Sequence, residues 1–446
     1  MGNLIKHVRY SMGNFANTIA YNVFSNRAQF YYVDVMGLSA AVAGSVWAIY
    51  GVWNMVNDPL MGQLSDRTRT RLGRRVPYVW FGAIPLGLSF FLLWTPVEQP
   101  AWMLAAYFLT ILFFFDTLYS LLLICYNSLY VEVAPTVRDR IDLAMVREIV
   151  ATIALLASFI LAPVMAEKLG YVWMGALMGL LIAGGYMISM IGVRERPVTT
   201  EETNESLLAS FVVVMSSKPF RYFLGANIAK EYIWLSLAAM LPFWRKYAIG
   251  IHEPVEILGQ TLSPGDAEAI LLGLSIVAAI PCLLIWRPIV HRLGYRYAWL
   301  IASLAFIPGL ALMMIATDFY SGLLGTLLTA PGLAGSMIMP YPMITEVIDF
   351  DASQQNGYRR DGVFFGMNAG IAKFSFPIQG LLFATVMPLS GYIEGQMVQP
   401  ESAATGIRFL IGGSTIVAAL FSAFCLWRYP LGRRYSPTAC EIAVHE

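Results

Sequence analysis

Residues 51–77 read GVWNMVNDPLMGQLSDRTRTRLGRRVP, and this stretch decides the fold. It carries an apolar span into a short loop holding Asp66, Arg67, Arg69, Arg71, Arg74 and Arg75. Asp58 still lies inside the span, one helical turn after Asn54. An ionisable group in lipid is expensive, so it faces a water-filled cavity or a partner and marks a solute or ion path. A cluster of arginines just past a span marks the cytoplasmic side. The stretch therefore predicts a membrane protein with a polar interior, of the transporter kind.

The rest of the chain agrees. Hydrophobic residues make up 58%, charged residues 13%, and mean hydropathy is +0.62, outside the range of soluble domains. At about 20 apolar residues per crossing, 446 residues allow about twelve spans. They are expected near 12–35, 40–62, 77–96, 101–130, 143–166, 171–193, 221–246, 267–286, 297–316, 319–343, 362–388 and 404–428. The first residues lead into a polar-flecked span rather than a short apolar core with a cleavage site, so no cleavable signal is expected. Expected inner loops hold Arg67 to Arg75, Arg138, Arg140, Arg194, Arg196, Arg292, Arg296, Arg359, Arg360, Arg433 and Arg434. Expected outer loops hold little beyond Lys168, Arg245 and Lys246, which places both termini in the cytoplasm. These arginines are topology signals, and with a net charge of +1 no nucleic-acid partner is expected.

Enzyme chemistry has little to stand on. Cys125, Cys282, Cys425 and Cys440 show no paired spacing, and His7, His252, His291 and His445 form no ligand cluster. No enzymatic activity, metal or cofactor is expected; the ion involved is a coupling H⁺ or Na⁺. An internal repeat supplies the architecture: Arg71-Leu72-Gly73-Arg74-Arg75 returns as Arg292-Leu293-Gly294-Tyr295-Arg296 about half a chain later. Two half-chains with the same inner loop predict an N-terminal six-helix bundle over 1–200, a charged linker over 201–220 and a C-terminal six-helix bundle over 221–446.

The segment Asn57-Asp58-Pro59, followed by Gly62, Asp66, Thr68, Gly73-Arg74-Arg75 and Pro77, resembles the signature of the glycoside–pentoside–hexuronide:cation symporters of the major facilitator superfamily. FYYVDVMGLS at 30–39, NSLYVEVAPTVRDR at 127–140 and ITEVIDF at 344–350 with GYRRDGVFFGMNAGIAKF at 357–374 are similar to further motifs of that family, in the same order. The resemblance implies the major facilitator fold, all-α with about twelve transmembrane helices in two bundles. It also implies a central sugar site and uptake coupled to Na⁺ or H⁺; a monomer in a bacterial inner membrane is expected. Asp58, Arg147 and Lys373 stand at family site positions. Thr18, Asn54 and Leu123 replace three of its carboxylates, and a hard cation such as Na⁺ wants several oxygen ligands. Protons are therefore the expected coupling ion.

Particular residues then take candidate roles. Asp58 and Asn54 share a helix face; Asp58 is either the ion site or a brace at the end of its helix. Asp116 lies two turns before Leu123 and is either a displaced substitute for the missing acid or a structural hydrogen-bonding group. Lys373 is expected mid-helix, with Asp58 as counter-charge. Asn14, Thr18, Asn22, Asn26 and Gln29 form a polar row on the first helix that suits sugar hydroxyls. Arg27 either holds an acidic group of the substrate or snorkels to the headgroups. Lys230 and Glu231 sit about 100° apart on their helix, one toward the cavity and the other sideways. On the cytoplasmic face, Asp66, Arg67, Arg71, Arg74, Arg75 and Arg140 form a gating motif, with Glu132, Glu346 and Asp349 as expected partners. A second transport reading makes the substrate an amphiphile such as a lysolipid; a non-transporting membrane sensor or enzyme is the third.

Overall fold

The computed structural model describes residues 2–96, 100–193, 195, 212, 214–257, 259–354 and 360–431. Outside them lie Arg194, Arg196, Arg359, Arg433, Arg434, Cys440, His445 and most of the expected linker, and the side chains of Asp66 and Arg138 are not described either. Helix makes up 84% of the structure, which settles the all-α class. The packing divides the chain into two compact units.

The first unit comprises Met1–Glu201, Ile251–Ile270 and Gly380–Gln399. Its helices are α1 (Gly2–Phe30), α2 (Ala40–Arg67), α3 (Val76–Leu92), α4 (Ala101–Ser128), α5 (Val137–Lys168) and α6 (Tyr171–Met190). α1 ends in one wide π-helical turn, Tyr31–Val35. Local chemistry sets the starts of α2, α3 and α5. The Ser39 and Thr136 side chains accept from the Val42 and Asp139 amides to cap α2 and α5, and Pro77 occupies the first turn of α3, where no amide is needed. α1 packs on α5 and α6, α2 on α4, and α3 on α4 and α6. The α3–α6 crossing is backbone to backbone. A Cβ on Gly87 would lie 2.5 Å from the Gly179 carbonyl oxygen, and one on Gly179 would lie 2.5 Å from that of Gly87. Close approach of small residues is how helices associate where lipid removes the hydrophobic drive.

The second unit comprises Glu202–Gly250, Leu271–Gln379 and Pro400–Glu446. It contains α7 (Lys218–Phe243), most of α8 (Pro264–Ala305), α9 (Ile307–Ile315), α10 (Phe319–Ile338), α11 (Pro340–Gln354), α12 (Asp361–Ala372), the start of α13 (Ser375–Leu389), α14 (Glu401–Arg408) and α15 (Ser414–Arg428). Several expected single spans are interrupted, and proline is the reason. Pro308, Pro340 and Pro377 stand just inside the starts of α9, α11 and α13, where the missing amide ends one helix and begins the next. Between α7 and α8 an antiparallel hairpin of β1 (Val255–Ile257) and β2 (Gln260–Leu262) is the only sheet among the described residues.

The repeated loop has a structural counterpart in each unit. Gly73 has φ +108° and Gly294 has φ +81°, the left-handed region where glycine is favoured. At Gly294 the backbone leaves helical torsions, so α8 is two helices joined at a kink, the second of which enters the next span.

Seven helical stretches among the described residues are long and apolar enough to cross a membrane. One of them, Pro264–Ile315, is 52 residues long and holds two crossings; α3 is apolar but shorter. The crossing-length rods missing from that set are α1, α2 and α7, and their mean hydropathy is reduced by the polar side chains they carry. The total of about twelve passes follows once those three are counted.

Candidate functional site

The polar centre of the first unit lies where α2 packs on α4. Tyr50, Asn54 and Asn57 follow at four- and three-residue intervals, so α2 presents them on one face. Asp116 and Ser120, four apart, answer from α4. Asn57 Nδ2 donates to Asp116 Oδ2 and to the Asp116 carbonyl, both at 2.9 Å. Tyr50 donates its hydroxyl to Asp116 Oδ1 at 3.3 Å, and Asn54 Nδ2 donates to the Tyr50 oxygen at 3.3 Å. The Ser120 hydroxyl donates to Asp58 Oδ1 at 2.5 Å. Asp116 is 2% exposed, whereas Asp58 is half-buried. Two intramembrane carboxylates thus share one interface, one enclosed and one reachable, and both accept from hydroxyl or amide donors. Removing the Asp116 carboxylate takes an acceptor from two buried donors, Tyr50 and Asn57, at up to about 1–3 kcal/mol each. Asp116→Ala is therefore expected to lower the melting temperature of detergent-purified protein well below that of Asp116→Asn, which retains an acceptor. Equal melting of the two would remove the carboxylate from the network.

Other expected site residues fall into separate groups. Arg147 on α5 lies over the rings of Tyr126 and Tyr130, 5.2 and 5.3 Å from their centroids, and donates to Asn127 Oδ1 at 2.9 Å. Asn14 Nδ2 donates to the Arg147 carbonyl at 3.2 Å, which ties α1 to α5. Thr18 is half-buried, and Asn22 turns its amide back to the Thr18 carbonyl at 2.8 Å. Asn26 and Gln29 are buried.

Arg27 does not snorkel. Its side chain is 3% exposed and forms a bidentate pair with Glu268, itself 1% exposed, at 2.6 and 3.3 Å.

The arginine motif finds an acid that the sequence reading did not single out. Glu195 accepts from the Arg75 backbone amide at 2.8 Å and lies 3.8 Å from Arg74 Nε. Arg67 and Arg71 are exposed, and Arg140 Nε donates to the Ala134 carbonyl at 3.1 Å.

In the second unit, Lys373 falls inside the Val363–Leu389 span as expected, but the helix breaks there: Lys373 caps the C-terminus of α12, just before α13. Pro377, four residues on, has no amide to give to the Lys373 carbonyl; Phe376 N bonds it instead at 3.0 Å. Lys230 and Glu231 do not diverge: their side chains curl together into an ion pair on α7. Glu346 is half-buried on α11. Asn227 of α7 donates to Asn368 of α12 at 2.9 Å, a polar contact the sequence reading did not identify.

A sequence model for MFS/sugar transport proteins matches residues 9–433. The chain belongs to the MFS/sugar transport protein family. That family is one of transporters, not enzymes, and glycoside-, pentoside- and hexuronide-type symporters are among the similar proteins, in line with the motif resemblance. The glucuronide carrier protein homolog of Escherichia coli (strain K12) is 24% identical, with 98% of this chain and 94% of that one covered. The isoprimeverose transporter of Lactiplantibacillus pentosus is 23% identical, over 95% of this chain and 88% of its own. The sodium-dependent lysophosphatidylcholine symporter 1-A of Danio rerio is 20% identical, over 90% and 81%. Among solved structures, the nucleoside transporter NupG superposes with a TM-score of 0.69 at 14% identity, covering 95% of this chain and 100% of that one, which speaks to fold alone. The chain is a multi-pass membrane transporter of that fold.

Proposed function

We propose that this transporter carries a sugar or glycoside, neutral or acidic, by symport with protons, and that the proton is carried at Asp58 and Asp116. The observation that supports the reading is the α2–α4 pair of carboxylates. Hydroxyl and amide groups donate to both of them across the α2–α4 interface. A half-buried Asp58 is accessible for protonation, and the enclosed Asp116 shares its interface. Replacement of three family carboxylates by Thr18, Asn54 and Leu123 thins the oxygen set that Na⁺ would need. Thr18, Asn22, Asn26, Asn54, Arg147 and Lys373 supply substrate contacts in this reading, and the arginine motif lies on the cytoplasmic side of a bacterial inner membrane with both termini. Arg27, committed to Glu268, is not needed for a substrate carboxylate.

Uptake into membrane vesicles at fixed pH is expected to be nearly unchanged when Na⁺ is replaced by choline, and to collapse when the pH gradient is dissipated. A strict Na⁺ requirement would overturn proton coupling. The substrate class is read from a thermal-shift panel of neutral sugars, uronates, sulfosugars and lysolipids. Lysolipid alone stabilising the protein would favour the amphiphile reading, for which similarity to the lysophosphatidylcholine symporter is the supporting observation.

A further inference from the structure

At the end of the first unit remote from the arginine loop, two late segments of the chain, 251–270 and 380–399, join the helices of the N-terminal half. The joints are polar and repeated. Tyr392 donates its hydroxyl to Asp34 Oδ1 at 2.9 Å, and Glu394 accepts from the Ala40 amide, the first of α2, at 2.7 Å. Glu167 and Lys168, closing α5, bond the Gly265 amide and Asp266 at the start of α8. Beneath them α2 and α13 cross at contact distance: a Cβ on Gly44 would lie 2.6 Å from the Gly380 carbonyl oxygen, and one on Gly380 2.7 Å from the Ala48 amide. Deepest in this layer is Arg27–Glu268, both side chains at most 3% exposed. Arg27 comes nine residues after Thr18, about 180° around α1 at 100° per residue, so it turns away from the polar row.

We propose that the Arg27–Glu268 pair is the latch of the outer gate, closing this end of the transporter. This rests on the symport reading above, with the solute path opening to one side of the membrane at a time. The physical basis is a difference between two states. Closed, the pair is desolvated and Glu268 holds the buried Arg27 guanidinium; opened, both charges face water. Neutralising Glu268 takes that carboxylate from the buried guanidinium only in the closed state, whereas replacing both with apolar groups removes the penalty. Neutralising one partner therefore shifts the population toward the open state. Neutralising both does not.

The test uses Asn22→Cys, deeper on α1 than the latch, in a background without the natural cysteines, with a membrane-impermeant methanethiosulfonate applied outside intact cells. Adding Glu268→Gln is expected to accelerate labelling about tenfold, as expected when a minor open state of a few per cent becomes common. Glu268→Asp, which keeps the charge but breaks the bidentate fit, should give a smaller acceleration and guards against misfolding of the first variant. The double variant Arg27→Met/Glu268→Leu should label at or below the parent rate. If neither single variant labels faster in protein that melts normally, or if the double variant labels as fast as Glu268→Gln, the latch is overturned. Wild-type vesicle uptake is measured alongside. Uptake without the labelling shift rejects the latch alone, and absence of uptake for every sugar and glycoside tried rejects the symport reading on which it rests.

Discussion

Asp58→Asn is expected to abolish concentrative uptake while leaving exchange of substrate across the membrane measurable. Asparagine keeps the size and can still accept from Ser120, so the α2–α4 interface should survive. It cannot take up and release a proton, so the downhill flow of protons no longer drives accumulation. Substrate can still exchange, because exchange needs the loaded carrier to change sides and no net proton movement. Counterflow of labelled substrate with net accumulation at the background level is the expected pair of readings. Accumulation at the wild-type level would reduce Asp58 to a brace. The same substitution at Asp116 separates the roles of the two acids. If Asp116 shares the proton, its Asn variant loses accumulation too; if it only organises Asn57 and Tyr50, accumulation persists.

The second large effect concerns packing, and one helix supplies both the experiment and its control. On α6, a Cβ at Gly179 would sit 2.5 Å from a backbone oxygen of Gly87, which cannot rotate away. Five residues later Gly184 has nothing within 4 Å of the same added atom. Gly179→Ala must push α3 from α6, and overpacking of this kind costs about 1–3 kcal/mol. Gly179→Leu is expected to yield no stable protein. Gly184→Ala should be neutral or stabilising by about 0.5–1 kcal/mol, the usual helix preference of alanine over glycine. Melting curves in detergent read the contrast directly. Equal effects at the two positions would mean that the α3–α6 crossing is looser than the structure has it.

Much of the fold was legible in the chain because its cause is local. Apolar length gives spans, and an acid followed by arginines gave the second helix and the loop after it. The breaks were harder to place, since proline interrupts a helix within an apolar run that still reads as one crossing. Pro377 is the example: it breaks the span at Lys373, a residue expected within one unbroken helix. The site was half legible. Asp58, Asn54 and Asp116 are visible as polar residues in lipid, but their sharing of an interface depends on which helices pack. Asn57 was hidden by its neighbour, quoted in the motif and given no role, although its spacing from Asn54 and Tyr50 is helical. Glu268 fell at the edge of an expected span, and the cost of an acid in lipid, applied there as it was at Asp58, would have found it. Its partner could not have been read, because Arg27 and Glu268 are separated by 241 positions. Glu195 followed the sixth span among other charges, with no signal to distinguish it.

The kink at Gly294 also bears on how far the two halves can diverge. Nothing lies within 4 Å of a Cβ built there, so volume does not reserve the position for glycine. Handedness does: with φ +81° and ψ +168°, the backbone occupies a region essentially closed to residues of the natural configuration. A mirror-image alanine would satisfy the same torsions with little strain. Since biology has no such residue to offer, the loops around Gly73 and Gly294 are free to change their charges and lengths of side chain, and they remain chained to the one amino acid without chirality.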